Sequence, residues 1–171
     1  QVLLLQSIFS VAIIVFEIPS GYLSDRLGRK TTLILGCLFG FLGFGAYSLS
    51  YSFLGFLIAE LSLGLGASFI SGTDSAIIYD TLVQLKKEQD YKKIEGRLSS
   101  VGNFSEGIAS FLGGFIALAS LRTPFYIQAV LMFFSIPVAF TLVEPRVHRF
   151  RQENPIKDII RIVKFSVHHN K

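Results

Sequence analysis

Apolar positions dominate this chain in five long stretches, at residues 2–20, 31–50, 53–79, 98–119 and 123–143. Each is close to the roughly 20 residues that a helix rising about 1.5 Å per residue needs to cross the hydrocarbon of a bilayer. Polar residues interrupt them at 21–30, 51–52, 86–97 and 120–122, and beyond Val143 the chain turns polar and basic. Thr123 and Pro124 predict an N-cap with proline at the first helical position, and Pro145 marks the end of the last span. Pro137, inside that span, predicts a kink.

Within the apolar stretches the few polar positions are not scattered. At 100° per residue Glu60, Gly64, Ala67, Ser71 and Asp74 fall on one stripe, whereas Asp80 lies nearly opposite and close to water. Ser99, Gly102, Asn103, Glu106, Ser110 and Gly113 share a face in the fourth stretch, and Gln6, Ser10 and Glu17 do the same in the first. A charged acid at the centre of a bilayer costs roughly 2.5 to 3.5 kcal/mol, so these stripes are expected to turn toward the interior of a helical bundle. Glu60, Asp74, Asn103, Glu106 and Glu17 are therefore candidates for a proton or substrate pathway. A structural alternative stays open for each acid, namely a protonated carboxyl hydrogen-bonded between helices.

Composition narrows the class. With 51% hydrophobic and 16% charged residues, and a mean hydropathy of +0.55, the chain falls outside the range of soluble domains. Fifteen Gly and no Trp suit membrane helices, where glycine permits close backbone approach. One cysteine, Cys37, excludes an internal disulfide. The net charge of +4 sits in short clusters between apolar stretches, which argues against nucleic acid as a partner and for membrane loops. Arg26, Arg29, Lys30, Lys86, Lys87, Lys92, Lys93, Arg97 and the basic residues after Val143 all fall on one side of the alternating spans, leaving Arg122 on the other. The positive-inside rule predicts that residues 21–30, 80–97 and 144–171 are cytoplasmic, and the plasma membrane is the expected location. Five spans that start outside imply a further helix upstream if the complete protein begins in the cytoplasm, giving six spans. Residues 146–171 are expected to begin a central loop, with Ile156, Ile159, Ile160 and Val163 on one face of a basic amphipathic helix. No cofactor or metal is expected: His148, His168 and His169 sit in the tail, away from acids at ligand spacing, and neither a phosphate-binding loop nor a hydrolytic triad is present.

The first basic segment carries the most particular pattern. Gly21, Leu23, Asp25, Arg26, Gly28, Arg29 and Lys30 match, position by position, the G-x-L-a-D-r-x-G-r-k motif between the second and third helices of major facilitator superfamily transporters, which the chain resembles throughout. The resemblance implies an all-α polytopic bundle, residues 1–145 being helices two to six of an incomplete amino-terminal half. It further implies that Asp25 and Arg29, with Asp80 at the inner end of the fourth helix, latch the cytoplasmic side. Two departures stand out: Glu60 occupies the place where many members carry arginine ahead of Gly64 and Gly66, and only Gly113 and Gly114 survive of the G-P-x-x-G-G pattern of drug antiporters. The implied function is that of a secondary transporter rather than an enzyme. It would exchange protons and a small-molecule substrate across the bilayer, together with the first helix and second half of the same protein, and drug efflux is one expectation. An uncoupled facilitator, a nutrient or sugar symporter, a channel and a non-transporting scaffold are the alternatives.

Overall fold

The computed structural model describes residues 2–145 and is all-α. Its helices are α1 (Val2–Leu27), α2 (Arg29–Leu49), α3 (Phe53–Ile70), α4 (Thr73–Gln84), α5 (Tyr91–Ala119) and α6 (Thr123–Thr141), with a 3-10 turn at Glu88–Asp90. Taking α3 with α4, and the 3-10 turn with α5, five helical segments among the described residues are long and apolar enough to cross a membrane. The chain is thus an integral membrane protein. The amphipathic helix expected beyond residue 145 lies outside the described residues, as do the three histidines.

Helix boundaries depart from the apolar stretches in three places. Segment 21–30 is not an open loop: α1 runs on through Pro19 to Leu27, and α2 starts at Arg29, so the connection reduces to Gly28. Gly28 has φ +102°, a conformation that a side chain would strain. In the same way α5 starts at Tyr91, inside the charged run 86–97, because Lys, Arg and Glu favour helix once it has left the hydrocarbon. The stretch 53–79 is broken, since Ser71 leaves the helical region and Gly72 is left-handed at φ +74°. That break takes Asp74 off the stripe of Glu60 and Gly64 and puts it, exposed, in the first turn of α4. At α6 the cap is Arg122 rather than Thr123, with Pro124 inside the first turn, where its missing N–H costs nothing.

α2 is the centre of the packing, and small residues set how closely its neighbours approach. A Cβ on Gly66 of α3 would lie 2.9 Å from Gly40 N and 3.0 Å from Gly36 O, so the α2 and α3 backbones are nearly in contact. Gly43 receives Leu63 in the same groove, while on the α6 side Gly40 receives the Met132 sulfur and Phe41 packs on Phe133, with ring centroids 5.6 Å apart. α1 joins α3 where Gly64 sits on Ala12 and where the Ser20 hydroxyl donates to Ser68 O at 2.8 Å. α5 stands apart. It packs on α4, the 3-10 turn and α6, and none of its residues is buried.

Candidate functional site

Gly28 turns the chain so that α2 begins beside the end of α1, and this brings the motif residues together. The Arg29 guanidinium spans two acids, with Nη2 2.9 Å from Asp25 Oδ1 and Nε 3.2 Å from Asp80 Oδ2. Its Nη1 also donates to Ser24 Oγ at 3.0 Å, and Ser24, fully buried, accepts from the Thr73 hydroxyl at 3.2 Å. Arg29 therefore ties α1, α2 and α4 at one point. Arg26 lies over the Tyr22 ring, 5.1 Å from its centroid, Gly21 is exposed with open space around it, and Leu23 is half-buried in α1.

Sequence reasoning missed a further acid at this end. Glu144 follows α6, and its two carboxylate oxygens accept from the backbone N–H groups of Arg29 (2.8 Å) and Lys30 (2.7 Å). These donors open α2 and have no partner within the helix, and the carboxylate also meets the positive end of the helix dipole. The Lys30 ammonium donates in turn to Phe140 O at 2.7 Å, so α6 is bound twice to the start of α2. The only sequence signal was an acid beside Pro145 at the end of an apolar stretch.

The opposite end of α2 is closed by charge of the other sign. Arg122 donates from Nη1 to Ser48 O and from Nη2 to Ser50 O, both at 2.9 Å, and stacks 3.8 Å over the Tyr51 ring. A cation on the last carbonyls of a helix is the electrostatic complement of an anion on its first amides. All the ion pairs of the motif lie at one end of the bundle, and Arg122 lies at the other.

Glu60, Asp74, Glu17 and Glu106 sit in four different settings. Glu60 is buried and accepts from the Tyr47 hydroxyl at 2.5 Å, and Tyr47 stacks on Phe125 with ring centroids 4.8 Å apart. Seven residues into α3, Glu60 sits about 10 Å from that helix end rather than at mid-span. Asp74 accepts from Ser75 N at 2.7 Å and shapes the start of α4, while Glu17 is exposed on α1. Glu106, by contrast, is halfway along α5, about 20 Å from each end. It is exposed together with Ser99, Asn103 and Ser110, and its carboxylate makes no hydrogen bond or ion pair among the described residues.

Comparison with known proteins agrees with this geometry. Residues 1–167 match the family model of the Major Facilitator Superfamily. An uncharacterized transporter of Buchnera aphidicola is 32% identical over 80% of this chain and 34% of its own length. An uncharacterized MFS-type transporter of Methanocaldococcus jannaschii is 26% identical over 95% of this chain and 42% of its own. More distantly, the quinolone resistance protein NorA of Staphylococcus aureus is 23% identical over 75% of the chain and 32% of its own length. The chain thus spans about a third to two-fifths of the curated relatives it matches. No solved structure matches it. A match over nearly all of its residues, on spans tied through Asp25, Arg29 and Asp80, means that the chain belongs to the Major Facilitator Superfamily of transporters rather than to any enzyme family.

Proposed function

We propose that the whole protein is a secondary carrier, in which these helices rock against further helices of the same polypeptide while an ion gradient, most simply of protons, drives a small solute. The observation that supports it most is the position of Glu106. A carboxylate at mid-span, on a polar arc left uncovered by the other described residues, has no place against lipid and every reason to line a polar route. Asp25, Arg29 and Asp80 would hold the inner ends together in one of the two states and release them in the other, so the network sets the balance between states rather than the affinity for substrate. Distant similarity to NorA, a quinolone resistance protein, favours efflux of a drug-like solute.

The test is transport by the full-length protein in proteoliposomes under an imposed proton gradient. Glu106→Gln is expected to abolish gradient-driven accumulation while leaving exchange of labelled for unlabelled substrate. Accumulation unchanged in Glu106→Gln would refute the assignment. Uptake that survives collapse of the gradient in the unmodified protein would point instead to a facilitator.

A further inference from the structure

α5 presents two exposed faces, and the polar arc of Glu106 accounts for one of them. At 100° per residue Lys93, Arg97, Phe104, Ile108, Phe111 and Phe115 fall on a second strip about 60° wide, more than 90° around the helix from Glu106. All six are exposed. The strip is divided by chemistry along its length, with two cations at the end that carries the Asp25–Arg29–Asp80 network and only apolar side chains above them, Phe111 and Phe115 packing edge to face at 5.0 Å.

Neither cation is neutralised among the described residues. Lys93 and Arg97 make no hydrogen bond or ion pair among the described residues, although Glu88, Asp90 and Glu95 lie within nine residues of Arg97 in sequence. Glu95 is turned the other way, toward α4, where it accepts from Ser75 Oγ at 2.8 Å, and Tyr91 goes with it onto the edge of Tyr79 at 5.4 Å. These contacts fix the rotation of α5 and leave the cationic strip facing away from α4. Lys86 and Lys87, exposed in the same connection and equally without side-chain partners among the described residues, extend the positive field.

We propose that this strip of α5 binds one anionic phospholipid lengthwise, its phosphate held by Lys93 and Arg97 and its acyl chain laid along Phe104, Ile108, Phe111 and Phe115. A membrane-spanning helix with unpaired cations at the headgroup level, continuous with an apolar ridge, is complementary to an amphiphilic anion and to neither half of it alone. The ridge argues for a lipid over a free phosphate ester, since phosphate would need only the cations. The inference rests on α5 spanning the bilayer and is independent of what the protein transports.

The experiment is native mass spectrometry of the purified full-length protein carrying phosphatidylglycerol or phosphatidylcholine of identical acyl chains, with inorganic phosphate as competitor. Each interfacial cation is worth about a fivefold preference, so the unmodified protein is expected to retain phosphatidylglycerol about 25-fold over phosphatidylcholine. Lys93→Gln/Arg97→Gln should remove most of that preference, leaving only what the field of Lys86 and Lys87 gives, Lys93→Arg/Arg97→Lys should keep it, and Phe111→Ala/Phe115→Ala should weaken retention of both lipids. Equal retention of the two lipids by the unmodified protein would overturn the proposal. So would displacement of the lipid by millimolar phosphate, which would mark a simple anion site. Should the glutamine variant fail to fold, the arginine–lysine exchange and the phenylalanine pair still decide the matter.

Discussion

Glycine in this chain has opposite meanings at positions that look alike in sequence. Gly66 and Gly45 both lie in apolar helices, yet a methyl group on Gly66 would press on the α2 backbone at 2.9 Å, whereas nothing lies within 4 Å of one on Gly45. Backbone cannot give way as a flexible side chain can. Gly66→Ala should therefore destabilise the full-length protein in detergent by about 1–3 kcal/mol, with Gly45→Ala nearly neutral in the same thermal unfolding assay. Glu60 makes a second case: Tyr47→Phe keeps the ring stacked on Phe125 but removes the hydroxyl that a buried carboxylate accepts from. Loss of about 1–3 kcal/mol is expected, and no change in the melt would mean that Glu60 is satisfied otherwise. At this scale the sequence showed that Glu60 was costly in lipid and must be buried. It did not show Tyr47, thirteen residues away on another helix, because periodicity relates positions within one helix and says nothing of which helix comes next to it.

Helices in this bundle are held as much at their ends as along their faces. α2 carries the Glu144 carboxylate on its first amides and the Arg122 guanidinium on its last carbonyls, one from each side of α6. Removing either, as Glu144→Ala or Arg122→Ala, should cost about 0.5–2 kcal/mol, the range for a lost cap. Since the two sites stand about 30 Å apart across α2, the double variant should show the sum of both losses to within about 0.5 kcal/mol. A combined loss far from the sum would show that the two ends are coupled. The five spans themselves were legible, because length and hydropathy are what a bilayer requires. The ends were not, because hydropathy reports where a helix leaves the hydrocarbon and not where it stops. α1 and α5 thus extend into charged residues, and the break at Gly72 hid inside an apolar run. Thr73 and Asp74, residues suited to a helix start, were the available signal for that break.

In the whole molecule Arg29 joins α1, α2 and α4 at one end of the bundle, and in the carrier proposed above this junction favours closure of that side, the side that the positive-inside rule makes the inner one. The motif that predicted Asp25, Arg29 and Asp80 meeting was legible because a charged segment at fixed spacing survives any error in helix boundaries. The setting of Asp74 was not, because its stripe with Glu60 assumed one unbroken helix from residue 53 to 79, and the chain breaks at Gly72. The direct test replaces Cys37 by serine, places a cysteine at Asn103 on the polar arc of α5, and measures labelling by a membrane-impermeant maleimide from each side of the membrane in the full-length protein. Arg29→Gln should raise labelling from the inner side severalfold and lower it from the outer side, since loss of about 1 kcal/mol from one state shifts a two-state balance about fivefold. Labelling that is the same from both sides with and without Arg29 would contradict the claim.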